Sequence, residues 1–228
     1  DETGIMPMAN DSVFAGGTGT QDDPYQVSTP EQLNEVRNYL NKYFIQINDI
    51  DMTEATSEGG AYWNDGTGWI PIGTYESPVR GYDGGGFKII GLNIYESTGV
   101  RYGTGGWAQI AGLFGYIGEG SIVENVILTD GEYRITRGAD VLVDLRVGGI
   151  AAYGNAEYSK IYNCINYNNI HIINESPSTL YIGGISSYQD TNGEISGCYN
   201  YGDITVDNNY HANAGPYVFC GGICGQSY

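Results

Sequence analysis

Two aspartates have a spacing that could suit a metal ion. Asp49 and Asp51 flank Ile50, so in an extended segment whose isoleucine points inward both carboxylates face outward, two positions apart. Calcium binds oxygen ligands of this kind. Further ligands would have to come from Asp22, Asp23 or Asp83. The alternative is that these aspartates are solvated or hold turns and caps, because the loop and repeat motifs typical of calcium sites are absent. The sequence therefore predicts no metal site, and Asp49 and Asp51 remain its calcium candidates.

The four cysteines offer thiol chemistry, but their spacing predicts neither zinc binding nor a disulfide. Cys220 and Cys224 lie four positions apart, without a second pair or a nearby histidine to complete four ligands. Cys164 and Cys198 share one position of two repeats described below. Stacked strands lie about 4.8 Å apart, more than the ~3.8 Å between β-carbons that a disulfide needs. We expect small buried thiols, and whether either pair is oxidised stays open.

Catalytic motifs are missing from the sequence. It contains no Gly-x-Ser-x-Gly elbow, P-loop or dinucleotide fingerprint, and paired carboxylates in an acidic chain do not by themselves indicate a glycosidase. A polysaccharide lyase would need clustered basic residues, whereas those of this chain are scattered: Lys88, Arg101, Arg134, Arg137, Arg146 and Lys160. We expect no catalytic residue and no cofactor. A carbohydrate-active enzyme, either a lyase or a hydrolase, is the alternative.

Three aromatic residues are the candidates for ligand binding. Tyr62 and Trp63 lie in the Gly-rich segment 53–68, and Trp107 ends the segment 97–107. Both segments are predicted to be insertions that project from the fold. Aromatic faces stack on sugars and anchor protein interfaces at little cost in entropy. These side chains either hold their segments in place or contact a partner.

Composition excludes some classes of partner. The chain has 228 residues, with 9 Lys and Arg against 27 Asp and Glu, which gives a formal net charge of −18. Phosphate backbones bind clustered Lys and Arg, so nucleic acid is disfavoured. No stretch approaches 18 consecutive apolar residues, so no membrane insertion is expected. The 36 glycines and 21 tyrosines need a structural reason.

An internal repeat supplies that reason. Four copies of a small-small-apolar triplet begin at Ala111, Gly148, Gly183 and Gly221, at intervals of 37, 35 and 38 residues. Each copy continues in short extended pieces joined by Gly, Asn, Asp and Ser, which is typical of strands and turns. The repeat predicts a parallel solenoid in which each copy forms one coil and covers its neighbour.

The repeat also places tyrosines in columns. One column contains Tyr116, Tyr153 and Tyr188, and a second contains Tyr167 and Tyr201. Because successive coils stack, each column can form a ladder of rings. We expect these tyrosines to pack along the solenoid.

One helix is predicted, over residues 29–41. The segment Ser28-Thr29-Pro30-Glu31 is typical of a capping box, in which Glu31 returns a hydrogen bond to the cap. The apolar residues that follow fall on one helix face. A solenoid needs its terminal coil covered, so we expect this helix to cap the N-terminal end.

These motifs together resemble a known class of repeat protein. Segments 14–33, 48–52, 69–73 and 82–92 resemble the N-terminal region of bacterial surface proteins with GLUG repeats. Ala111-Gly-Leu-Phe-Gly115 and the three Gly-Gly-Ile segments resemble the repeats themselves. The resemblance implies a right-handed parallel β-helix in a secreted, cell-surface-associated bacterial protein, often one module of a long chain. The repeats also occur in IgA-specific metallopeptidases, but the His-Glu-x-x-His motif of their catalytic domain is absent here.

The sequence therefore predicts an all-β protein, a right-handed parallel β-helix with a short N-terminal capping helix. Residues 1–13 are expected to be a disordered or linker segment. A single domain follows over 14–228, with the cap and first coils in 14–110 and GLUG-like repeats in 111–228, cut from a longer chain. We expect a non-enzymatic, extracellular module, monomeric within that chain, that acts as an adhesin or stalk. Its partner would be a host or cell-wall glycan or a surface protein, and a pure structural spacer is the remaining alternative.

Overall fold

The computed structural model describes residues 13–102, 106–154, 158–211 and 215–227. Short strands dominate this part of the chain. In chain order they are β1 Tyr25–Val27, β2 Tyr43–Gln46, β3 Ile50–Asp51, β4 Val79–Asp83, β5 Lys88–Ile90, β6 Thr98–Tyr102, β7 Gly106–Ala111, β8 Phe114–Glu124, β9 Ile127–Thr129, β10 Glu132–Arg137, β11 Asp144–Gly148, β12 Ala151–Tyr153, β13 Lys160–Tyr162, β14 Ile165–Asn166, β15 Asn169–Asn174, β16 Leu180–Gly183, β17 Ser186–Gln189, β18 Glu194–Ser196, β19 Tyr199–Asn200, β20 Ile204–Asn208, β21 Val218–Gly221 and β22 Cys224–Ser227.

These strands form a parallel β-solenoid of about five turns, which confirms the fold predicted from the repeat. The longest sheet follows the order β1-β2-β4-β8-β12-β17-β22, with β13 and β18 attached beside it. The other three sheets have the orders β3-β5-β9-β14-β19, β10-β15-β20 and β6-β7-β11-β16-β21. Apart from β6, which pairs antiparallel with β7, neighbouring strands in these sheets are parallel and come from successive coils.

The N-terminal helix is shorter than predicted. Helix α1 spans Pro30–Glu35, and a single 3-10 turn, Val36–Asn38, follows it. The Arg37 guanidinium donates to the Asn34 carbonyl oxygen at 3.1 Å, so that oxygen is engaged by a side chain where an α-helix would continue. Leu33 and Val36 are buried in the core as expected of a cap.

The capping interaction also differs from the prediction in one residue. Thr29 is the N-cap, and its hydroxyl accepts from the Gln32 amide at 3.2 Å. The reciprocal bond comes from Gln32, whose side-chain oxygen accepts from the Ser28 backbone N–H at 2.8 Å. Glu31, which was predicted to return that bond, is exposed. Gln32 occupies the third helical position, three residues after the cap, where a capping-box residue belongs.

The strand register agrees with the triplet alignment in β11, β16 and β21 but not in β7. Val147, Ile182 and Cys220 pair in sequence, as the alignment predicts. In β7, however, Ala111 pairs with Val147, so its copy is offset by one residue from the triplet alignment. The alignment recovers in the next strand, β8, where Phe114 pairs with Ala151. The connection in the later coil is therefore one residue longer.

The interior of the solenoid is a continuous apolar core with polar ladders at its corners. Val123, Ile161 and Leu128 are fully buried members of the core. Asn166 is also fully buried and donates to Asn200 Oδ1 at 2.9 Å on the next coil. Such amide ladders satisfy the polar groups of each turn across the coils.

The two predicted insertions, 53–68 and 97–107, differ in secondary structure. Residues 98–102 and 106–111 form an antiparallel pair, β6 with β7, at the edge of a sheet, so most of the segment 97–107 belongs to strands. The segment 53–68 consists of turns and a 3-10 turn at Asn64–Gly66. The predicted linker 1–13 lies outside the described residues except for Val13. Within the described ranges, no helix has the length and apolar character to cross a membrane.

Candidate functional site

Tyr62 and Trp63 pack against neighbouring rings. The Tyr62 ring meets the buried Trp69 edge-on, with centroids 5.9 Å apart, and the Trp63 ring lies 5.2 Å from Tyr95. These contacts tie the segment 53–68 to the solenoid through two separate partners. Trp107 lies in β7 with 55% of its surface exposed. Ligand binding by these three residues stays a prediction.

The calcium candidates hold backbone amides. An Asp49 oxygen accepts from the Lys88 N–H at 2.8 Å, and an Asp51 oxygen accepts from the Thr53 N–H at 2.9 Å. Hydrogen bonds from the Thr53 side chain and backbone lower the pKa of Asp51. In the described part of the chain, no group of three or more His, Cys, Asp and Glu residues is arranged to hold a metal ion.

The four cysteines are free thiols. Cys164 is buried, and its backbone N–H donates to the Cys198 sulfur at 3.4 Å on the next coil, as the shared repeat position predicts. Cys198 and Cys224 are partly exposed and Cys220 is exposed, so the expectation that all four are buried is wrong. The exposed cysteine lies in the last coil of the described residues, where no further coil covers it.

A side groove of about 850 Å³ lies on the surface of the solenoid. It crosses the corner between two sheets and is shared by three successive coils. Its lining residues are Lys88, Asn93, Ile127, Thr129, Asp130, Gly131, Glu132, Ile165, Tyr167 and Asn169. A groove of this size, with apolar and polar groups side by side, is suited to a small ligand or a short stretch of a polymer.

One wall of the groove is the end of an aromatic stack. Tyr167 and Tyr201 stack with centroids 4.9 Å apart and planes 14° apart, which confirms the predicted ladder. In the next coil toward the N-terminus, the same column holds Thr129, because Asn166 pairs with Leu128. One face of Tyr167 is thus covered by Tyr201, whereas the other is directed toward a small residue in the groove.

The groove exists because the corner of the coil changes length. Three residues connect Leu128 to Glu132, whereas two connect their partners Asn166 and Asn169 on the following coil. Asp130, the middle residue of the longer corner, has a φ of 58°, in the left-handed region that aspartate tolerates better than most residues. The turn projects Asp130 outward, and it is exposed.

Gly131 completes this corner because the coils approach closely there. A β-carbon at residue 131 would lie 2.3 Å from the Leu92 carbonyl oxygen of the preceding coil. Any larger residue would push the two coils apart. The Gly131 N–H donates to Asn168 Oδ1 at 2.9 Å, so a side chain of the following coil fixes this corner.

Several polar groups at the rim of the groove have no partner among the described residues. These groups are the Asp130 carboxylate, the Lys88 ammonium, the Tyr167 hydroxyl and the side-chain N–H groups of Asn93 and Asn169. The two asparagine oxygens, by contrast, accept from backbone N–H groups at 3.0 Å and 2.9 Å, which fixes the orientation of both amides. The rim therefore presents oriented donors and an acceptor to a ligand.

Charge around the groove is balanced, unlike that of the whole chain. Glu132 forms an ion pair with Arg134 at 2.9 Å, and Asp130 and Lys88 supply one charge of each sign. The chain as a whole has a formal net charge of −18. The groove thus lacks the strong negative character of the rest of the molecule.

The sequence prediction had identified the ladder of Tyr167 and Tyr201 but not the groove beside it. Thr129, Asp130 and Lys88 carry no motif. The signal that could have found them is the column itself, since aligning the copies puts a threonine where the next two coils have tyrosine. The difference in corner length is also visible once the strands on either side are aligned.

Comparison with known proteins gives partial matches. No protein-family model matches the chain. A protein of Evansella cellulosilytica, named "Putative Gly-rich membrane protein", is 38% identical over 144 residues, which are 62% of this chain and 15% of that protein. Halomucin of Haloquadratum walsbyi is 32% identical over 132 residues, which are 55% of this chain and 1% of that protein. This chain therefore spans a small part of the length of both relatives.

A crystal structure of a "putative immunoglobulin A1 protease" from Bacteroides ovatus is also similar. It shares 16% sequence identity at a TM-score of 0.35, over 91% of this chain and 86% of that chain. The resemblance to GLUG-repeat proteins stays a prediction. The strand pairing makes this chain a parallel β-solenoid, and its sequence relatives are much longer proteins, one of which is named as a membrane protein.

Proposed function

We propose that this chain is a non-enzymatic module of a cell-surface protein and that it binds a glycan in the side groove. The observation that carries the proposal is the position of Tyr167, 46% exposed, with one ring face stacked on Tyr201 and the other toward Thr129. The C–H faces of sugar rings pack on aromatic faces, which are rigid and carry little entropy to lose. An aromatic wall at the end of a stack offers such a face.

The rim of the groove supplies the polar half of sugar recognition. Sugar hydroxyls both donate and accept, so the Asp130 carboxylate can accept from them. The amide groups of Asn93 and Asn169 and the Lys88 ammonium can donate to them. A few fixed polar groups around an apolar platform are typical of small-ligand sites.

The ion pairing of the two groove carboxylates, Glu132 and Asp130, favours binding over hydrolysis. A glycosidase ordinarily uses two carboxyl groups, an acid and a base or nucleophile. Glu132 is engaged by Arg134, which leaves Asp130 as the groove carboxylate without an ion pair in the described structure. The membrane-protein name of one relative supports a surface location, although that name belongs to a protein of which this chain matches 15%.

A glycan array with calcium and with chelator, followed by calorimetry on the glycans that bind, tests the proposal. We expect Tyr167→Ala to weaken binding roughly tenfold or more, the loss typical of an anchoring aromatic residue. Tyr217→Ala is the matched control, because Tyr217 is 75% exposed and lies outside the groove. Absence of binding on the array would favour a spacer, and release of shorter sugars from a bound glycan would favour an enzyme.

A further inference from the structure

The stack of tyrosines ends at Tyr167, and the next position of its column, Thr129, also lines the groove. From the C-terminal side the column is Tyr201, Tyr167, Thr129 and then Ile90, which pairs with Thr129. Two of these four positions carry rings and the third carries a small side chain. We infer that a neutral pyranose ring of the ligand occupies the third position, over Thr129 and parallel to Tyr167. This inference rests on the proposed glycan binding.

The spacing of the coils fits one ring at that position. Each coil advances by about 4.8 Å, so Tyr167 and Ile90 lie roughly 9.6 Å apart along the column. A ring midway between them has its centre about 4.8 Å from each neighbour, close to the 4.9 Å between the stacked rings of Tyr167 and Tyr201. The same reasoning leaves no room for a second stacked ring. The ligand therefore continues the ladder by one member.

Stacking on Tyr167 also determines how the glycan chain is oriented in the groove. A pyranose lying parallel to the Tyr167 ring has its equatorial bonds in the ring plane, so a chain linked through them leaves the groove on either side. The groove is lined by Lys88, Ile127 and Ile165 toward one sheet and by Glu132 and Asn169 toward the next. The glycan thus crosses the solenoid along the path of a coil, and only a short stretch of it contacts the protein.

Charge selects the class of sugar. The groove is balanced, but a long uronate chain leaving it would approach the surface of a molecule with a net charge of −18. A neutral chain meets no such repulsion. Equatorially linked neutral pyranosides, such as β-linked gluco-oligosaccharides with or without N-acetyl groups, are the class that fits.

Filling the vacant position tests the inference directly. Thr129→Tyr would add a third tyrosine to the stack and occupy the space assigned to the sugar. Thr129 Oγ1 is buried and has no hydrogen-bond partner in the described residues, so the substitution breaks no hydrogen bond there. Thr129→Ser leaves the position vacant and is the matched control. Thr129→Leu fills it with less bulk and serves if the tyrosine variant does not fold.

The probes are neutral β-linked gluco-oligosaccharides, their N-acetylated counterparts and a uronate oligomer of equal length, measured by calorimetry. We expect Thr129→Tyr to weaken binding of the neutral probes about tenfold or more, and Thr129→Ser to bind like the original chain. We also expect affinity to stop rising once the oligomer spans the groove.

Two results would overturn the inference while leaving the proposed function intact. One is normal binding by folded Thr129→Tyr or Thr129→Leu together with loss of binding in Tyr167→Ala, because the sugar would then lie elsewhere on Tyr167. The other is a preference for the uronate probe that Tyr167→Ala abolishes. If the original chain binds no glycan of any class, the proposed function itself fails.

Discussion

The guanidinium of Arg146 lies 4.2 Å from the ring centroid of Tyr181 on the adjacent coil. The same group lies 4.6 Å from the ring of Tyr153 and 5.2 Å from that of Tyr188. Only 4% of Arg146 is exposed. The cation therefore joins two separate aromatic columns, one containing Tyr153 and Tyr188 and the other Tyr181 and Phe219, whose planes lie 8° apart.

Replacing Arg146 by lysine should destabilise the solenoid by roughly 1–3 kcal/mol. A planar guanidinium stacks on several rings at once, whereas a compact ammonium does not, and desolvated cation–π contacts are worth about 2 kcal/mol. Denaturant unfolding followed by circular dichroism measures the change. Arg134→Lys is the control, because Arg134 is half exposed in a surface ion pair and should cost little. Equal stability of the two variants would show that the aromatic contacts of Arg146 contribute nothing.

The Arg146 cluster illustrates what repeat alignment can predict. Tyrosines at a fixed interval must stack when the coils stack, and Tyr153 and Tyr188 lie 4.8 Å apart as a result. The triplet alignment also pairs Arg146 with Tyr181 on the following coil, as the strand register does. The alignment is offset by one residue in β7, where Arg146 pairs with Ile110 and the alignment predicts Gln109. A one-residue difference in a connection changes the partners of a whole strand.

The groove was not predicted from the sequence, for a similar reason. Its shape depends on the corner at Asp130 being one residue longer than the corner at Asn168. Composition and motif carry no trace of such a difference, and Thr129 is conspicuous only as a missing tyrosine. Tyr62 and Trp63 lie in a Gly-rich segment, which suits ligand binding and packing within the fold equally well. In the structure their rings pack on Trp69 and Tyr95.

The helix cap provides a second prediction. Thr29→Ala removes the hydroxyl that accepts from the Gln32 N–H and should cost about 0.5–2 kcal/mol. Gln32→Ala removes the acceptor of both the Ser28 N–H and the Ser28 hydroxyl and should destabilise by a similar amount. Glu31→Ala is the matched control, since Glu31 makes no hydrogen bond in the described structure. Thermal unfolding of the three variants decides between Gln32 and Glu31 as the capping-box residue.

The asparagine ladder provides a third prediction. Asn166 donates to Asn168 O and to Asn200 Oδ1, and its own oxygen accepts from the Asn168 N–H. Asn166→Ala removes these partners from the buried N–H and carbonyl oxygen of Asn168 and should cost roughly 2–4 kcal/mol. Asn200→Ala should cost less, because Asn200 is partly exposed.

Asn209→Ala is the control for the ladder, since its side chain is exposed and makes no hydrogen bond in the described structure. Denaturant midpoints of the three variants measure the ranking. If Asn166→Ala proved as stable as Asn209→Ala, the ladder would not hold the coils together.

The thiol pair provides the last prediction, on reactivity against pH. Hydrogen bonding with Cys164 lowers the pKa of Cys198 to about 7, while burial raises the pKa of Cys164. The thiolate is the reactive form, so Cys198 should alkylate faster than the other three cysteines at neutral pH. The alkylation rate of Cys198 should rise as the pH increases through about 7. It should level off at a pH where an ordinary thiol is not yet fully ionised. Peptide mass spectrometry after timed iodoacetamide treatment identifies the site.

Cys164→Ala removes the hydrogen-bonding thiol and should shift the rise in the Cys198 alkylation rate toward higher pH. A rise that is unchanged in Cys164→Ala would mean that Cys164 does not stabilise the Cys198 thiolate.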